Sequence, residues 1–199
     1  IIYVLSMDRE VVCRALESVH NIDGAEYLEK IVQIPFEIPA LMKPKLREIL
    51  LTNLEDIVKT ISDNPKIDKS YWSEVFVNCI EPYIKTLRDV NRVINTFQFR
   101  YKILYEETAF EDMVALTTIE VLKPQLYQWI SRNKDLLCST YFHSFSALYR
   151  NKSDYRTSIC EELKKLGINT DIGIKFLSTL FPVFANDIDE CDYKYTESN

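Results

Sequence analysis

The chain opens on five consecutive apolar residues, Ile1-Ile2-Tyr3-Val4-Leu5, followed by Ser6-Met7-Asp8. A short unbroken run of this kind suits a parallel strand buried on both faces. Asp8 is placed to cap a helix that starts at once, and Glu10 puts an acid in its first turn. Such a strand needs neighbours, and the rest of the chain offers almost no second run like it. The pattern predicts that the sequence begins inside an α/β domain, at its last or next-to-last strand. The elements that usually carry the chemistry of such a domain are then not among these residues.

Beyond that start the periodicity is helical. Asp8 to His20 repeats Val11, Val12, Ala15, Leu16 and Val19, a turn over residues 21–24 follows, and Ala25 to Val32 is a short helix. Ile34, Phe36 and Ile38 alternate as in a strand. Pro35 restricts this stretch to an edge position and Pro39 ends it. Leu41 to Ser62 carries Leu46, Ile49, Leu50, Leu54, Ile57, Val58 and Ile61 on one stripe. Ser70 to Tyr83 is a helix with Trp72, Val75, Phe76, Cys79 and Ile80 on its apolar side. Thr86-Leu87-Arg88-Asp89 has the form of a capping box, with Asp at the third helical position, and opens a helix to Tyr105. Ala109 to Ser131 reads as one long helix, bent at Pro124. Three further helices fill Leu136 to Phe184, with Ser153 capping the second and Gly167 ending it. Residues 186–199 read as a polar, acidic, poorly ordered tail.

With 199 residues and 47% apolar content, there is enough material for a sizeable core. Only three glycines are present, Gly24, Gly167 and Gly173, so no glycine-rich phosphate loop can be built. The net charge of −6 argues against a general nucleic-acid binder, which needs a cationic surface. The five cysteines are scattered, outside metal or redox spacing, as expected of reduced cytosolic thiols. No apolar run reaches membrane-spanning length. His20 and His143 stand alone, so no metal site is expected. No Ser-His or Cys-His pair reads as a nucleophilic site. Trp72, Trp129, Tyr71, Tyr83 and Tyr127 lie in apolar stretches at helical spacing and read as core residues.

Four segments carry a family resemblance. They are Ile2 to Glu10; Tyr27-Leu28-Glu29-Lys30-Ile31-Val32-Gln33-Ile34-Pro35-Phe36, closed by Pro39; Leu87-Arg88-Asp89-Val90-Asn91-Arg92-Val93-Ile94-Asn95; and Leu122-Lys123-Pro124-Gln125-Leu126-Tyr127. In this order and spacing, over Ile1 to Ile130, the chain resembles the C-terminal half of a KAP-family P-loop NTPase, a branch of the STAND group. The family's Walker A loop and acidic Walker B strand would precede Ile1. The resemblance therefore implies a piece of a longer ATPase, whose N-terminal P-loop half is the missing partner.

The resemblance implies a mainly α chain in four parts. Residues 1–40 are a remnant of the P-loop core, residues 41–131 a helical lid, residues 132–185 a C-terminal helical segment and residues 186–199 the acidic tail. It places Asp8 and Arg9 at the sensor-1 position, at the carboxyl end of a parallel strand, where ligands of open α/β sheets lie. It makes Arg88 the sensor-2-like residue of the lid, with Arg92 one turn later on the same face and Asn95 beyond. The plainer roles are a helix cap for Asp8, a solvated Arg9, and a helix-surface Arg88 pairing with Asp89 or Asp56. Phe36 between its prolines is an adenine contact on the family pattern and a plain edge strand otherwise.

The implied function is the sensor and lid region of an ATPase, closing over ATP and turning γ-phosphate occupancy into helix movement. ATP and Mg²⁺ belong to the longer protein only, and the chain alone carries no catalytic residue. The longer protein is expected in the cytoplasm, where it could associate with membrane. The strand over residues 1–5 is expected to pair with Ile34 to Ile38 or with a second copy of the chain. The alternative is a non-catalytic, all-helical protein-interaction domain.

Overall fold

The computed structural model describes residues 3–20, 23–61, 65–138 and 152–186. The chain divides into two compact units, Ile1–Ala40 and Leu41–Asn199. The fold is mainly α.

The first unit is a pair of helices, α1 (Arg9–His20) and α2 (Gly24–Ile31). Asp8 caps α1, its Oδ1 accepting from the Val11 N–H at 3.1 Å. Asp23 caps α2, accepting from the N–H groups of Ala25 and Glu26 at 2.9 and 3.1 Å. These carboxylates satisfy first-turn donors that have no partner within their own helix. The helices meet where buried Gly24 lies against the backbone of Cys13.

Two expected strands are absent. Residues 3–7 and 35–40 are irregular, and no strand occurs among the described residues. Val4 is 92% exposed and Phe36 85%. An apolar run becomes a strand only when a neighbour takes up its backbone N–H and C=O groups, and no described segment does so. Pro35 and Pro39 also lack the N–H a ladder requires. Self-association through residues 1–5 rested on that strand, and its described part, residues 3–5, gives it no support. Ile1 and Ile2 lie outside the described residues.

The second unit starts with α3 (Lys43–Ile61), whose buried Leu46, Leu50, Leu54, Ile57 and Val58 are the stripe read in the sequence. The next helix changes winding along its length. α4 (Lys69–Val75) passes into a π-helical turn at Phe76–Ile80, then a 3₁₀ turn at Glu81–Tyr83. Pro82 gives a reason: it has no N–H, and its ring would collide with the carbonyl of Asn78 in a continuous α-helix. The chain widens instead, and the Glu81 N–H bonds to Phe76 O, five residues back.

α5 (Leu87–Leu104) starts at the expected capping box. Thr86 Oγ1 accepts from the Asp89 N–H at 3.1 Å, and Asp89 Oδ2 accepts from the Thr86 N–H at 2.9 Å. The long helix expected from Ala109 to Ser131 is two helices, α6 (Phe110–Leu122) and α7 (Pro124–Arg132). Proline disfavours the α conformation in the residue before it. Lys123 accordingly sits at φ −139°, ψ 61°, and Pro124 starts a new helix.

α8 (Lys134–Cys138), α9 (Lys152–Lys165) and α10 (Thr170–Leu180) follow. Ser153 lies within α9 rather than before it. Gly167 ends α9 as expected, at φ 68°. The Ile168 N–H reaches Leu163 O and the Gly167 N–H reaches Lys164 O, both at 2.9 Å, which is a Schellman ending. The acidic tail beyond residue 186 lies outside the described residues.

The core of this unit is aromatic. The Phe97 ring lies 5.1 Å from Tyr101 and 5.7 Å from Phe110, and Trp72 lies 5.0 Å from Phe110. As expected, Tyr83 is buried, and Trp72, Trp129, Tyr71 and Tyr127 are half-buried against the core. α10 packs on the π-helical turn. Asn78 Nδ2 donates to Thr179 Oγ1 at 3.1 Å, the Cys79 thiol faces Phe176 O at 3.8 Å, and Tyr83 meets Phe176 edge to face.

Burial pushes the Cys79 thiol up to about 12 from its ordinary value of 9.0. It also raises the hydroxyls of Tyr71, which bonds Asp112, and Tyr83. In the unfolded chain these groups lose their protons at lower pH than in the folded one. Stability from this source is therefore intact below pH 9 and falls as pH rises through the window up to about 12. The urea midpoint is expected to drop between pH 8 and pH 11, and Cys79 should resist thiol reagents at pH 8. A thiol that labels readily in the folded chain would contradict its burial.

Candidate functional site

The residues singled out in the sequence fall in both units. In the first, Asp8 is the cap of α1. Arg9 is exposed and pairs with Glu29 of α2 at 3.5 Å. Exposed ion pairs of this sort are worth 0 to about 1 kcal/mol.

In the second unit, Arg88 and Arg92 stand one turn apart on α5, and both are exposed. Arg88 has no hydrogen bond or ion pair among the described residues. It pairs with neither candidate partner: the Asp89 carboxylate is taken up by the N–H groups of Lys85 and Thr86. Arg88 also occupies the first turn of its helix, where the backbone dipole disfavours a cation by roughly 0.3–1 kcal/mol. An unpaired cation there does nothing for the helix.

Arg92 is engaged. Its guanidinium donates to Val121 O, near the end of α6, at 2.9 Å. Asn95 is exposed on the same stripe. The sequence reading missed what continues that stripe toward the helix C-terminus: Phe99 and Ile103 are 71% and 62% exposed. A second apolar stripe, offset from Val90, Val93, Ile94, Phe97 and Tyr101, was the signal available. It also missed the ion pair between Arg100 and Glu120, which joins α5 to α6.

Among the described residues no three His, Cys, Asp or Glu side chains come together to hold a metal ion. One recess, lined by Lys43, Leu46, Arg47, Leu50, Phe76, Glu81 and Ile84, measures about 20 Å³. That is room for a water, not for a nucleotide. Arg47 closes one side of it, lying 4.7 Å over the Phe76 ring and 3.7 Å from Glu81.

The described residues are helical and carry, at the start of a long helix, a cation with no partner among them. Comparison with known proteins puts the chain in the class of P-loop NTPases. Residues 1–104 match the KAP family P-loop domain, and the chain belongs to that family. A curated relative, the Phage T7 exclusion protein of Escherichia coli (strain K12), is 29% identical over 129 residues. The alignment covers 64% of this chain and 17% of the relative, so the chain spans a small part of that protein's length. No solved structure matches. Helices α6 to α10 lie beyond the family match, while Asp8, Arg9, Arg88 and Arg92 all lie within it.

Proposed function

We propose that this chain is the sensor and lid region of a KAP-like P-loop ATPase, coupling the nucleotide state to helix movement. The observation that carries the reading is Arg88. It is an exposed guanidinium at a helix start, without a partner among the described residues and inside the family-matched segment. Hydrolysis of ATP concentrates charge on the transferring phosphoryl group, and the ATP and Mg²⁺ belong to the whole protein. What this chain supplies is a planar donor fork that reaches phosphate oxygens in bidentate fashion. Arg92 stands behind it, and Asp8 and Arg9 are the sensor-1 candidates of the first unit.

In the full-length protein, Arg88→Ala is expected to slow ATP turnover by about ten-fold or more, as for the loss of one charge-assisted contact in the transition state. Folding stability should change by no more than about 0.5 kcal/mol, since the side chain is exposed. Normal turnover in the variant would make Arg88 a surface residue and remove the site assignment.

For the whole protein we extend the proposal to exclusion of phage, on the name of that relative alone, and to a cytoplasmic location. No helix among the described residues is long and apolar enough to cross a membrane. The second reading, a non-catalytic helical interaction domain, draws on the exposed Phe99 and Ile103. It predicts that Arg88→Ala has no effect on turnover, while polar replacements at Phe99 and Ile103 abolish partner capture.

A further inference from the structure

The break between α6 and α7 leaves the last carbonyls of α6 without partners in their own helix. In a continuous helix Glu120 O would accept from residue 124, which is a proline, and Val121 O from Gln125. The Lys123 N–H closes back on Ile119 O at 2.7 Å, and the Tyr127 N–H reaches Lys123 O at 3.2 Å. Arg92 fills one vacancy from across the interface, donating to Val121 O. Arg100, two turns further along α5, pairs with the Glu120 side chain on the same turn of α6. Two arginines of α5 thus hold the end of α6, and the elbow they hold lies beyond the family-matched segment.

We propose that Arg92 is a positioning residue that relays occupancy of the α5 cationic face to the α6–α7 elbow. This rests on the reading of Arg88 as anion-facing. Arg92 lies four residues, about 6 Å along the axis, from Arg88. An anion captured by Arg88 draws the Arg92 guanidinium off Val121 O toward the stronger charge-assisted bond. The bond lies at the surface, so water takes up the carbonyl released and the elbow loosens without burying an unpaired group. The bistable element is a single guanidinium with two competing acceptors, a backbone carbonyl and an anion.

Amide hydrogen exchange by NMR on this chain, with inorganic tripolyphosphate as the probe at matched ionic strength, tests it. Arg92→Gln is expected to speed exchange at Lys123 and Tyr127 by about five-fold without any anion, the effect of losing one hydrogen bond. In the unaltered chain, tripolyphosphate should shift the Arg88 side-chain resonance and produce a comparable acceleration at the elbow. In Arg88→Ala it should produce none. A merely structural Arg92 would give the first result and not the second. Unchanged exchange in Arg92→Gln overturns the hold on the elbow. An Arg88 resonance that shifts while the elbow stays as it was overturns the relay and leaves the reading of Arg88 intact. An Arg88 resonance that does not respond removes that reading and the relay with it.

Discussion

Truncating Phe176 to alanine is expected to destabilise the second unit by about 3–5 kcal/mol, the range for deleting a buried phenylalanine ring. Phe176 is fully buried, meets the Tyr83 ring at 5.9 Å, and its carbonyl faces the Cys79 thiol. It sits on α10, outside the family-matched segment, and packs on the π-helical turn inside it. The loss should therefore be felt by the family-matched helices too. Urea unfolding followed by Trp72 and Trp129 fluorescence should show one transition at a lower midpoint. A midpoint unchanged for the tryptophan signal, with only α10 lost, would mean that α10 is an appendage to a core that stands without it.

The second large effect is expected at Gly24. A Cβ built there would lie 2.7 Å from Cys13 Cα and 2.8 Å from Cys13 C. Those atoms belong to the backbone of α1, so no side-chain rotation relieves the overlap, and the two helices must part. Overpacking of this kind costs about 1–3 kcal/mol. Alanine's better helix propensity offsets under about 1 kcal/mol of that. Gly24→Ala should thus reduce the exchange protection of the Val32 amide, which bonds Leu28 O. Equal or greater protection would show that α1 and α2 do not pack through this glycine.

Particular elements show how far the sequence alone reached. The stripe of α3, the reciprocal capping of Thr86 and Asp89, and the left-handed glycine ending α9 were all legible, because each follows from residues within one or two turns of one another. The family was legible too, since its segments are runs of sequence. The α6–α7 break was half-legible: Pro124 marked the place, but a bend and a new helix differ only in what Lys123 does. The π-helical turn was not foreseen, although Pro82 stands at its end.

The candidate site divides along the same line. Asp8 as a helix cap and the shared face of Arg88 and Arg92 follow from spacing alone. That Arg88 has no partner among the described residues while Arg92 is tied to Val121, 29 residues away in sequence, depends on where α6 ends relative to α5. Likewise residues 3–7 and 34–38 have strand composition, yet composition cannot supply the neighbour whose backbone a strand must bond. The sequence by itself determined the stripe of α3, the caps at Asp8 and Thr86 and the family, because these are local in the chain. Only the tertiary structure decided which apolar runs are covered, which cation is tied and that α10 completes the core, because those depend on partners far away along it.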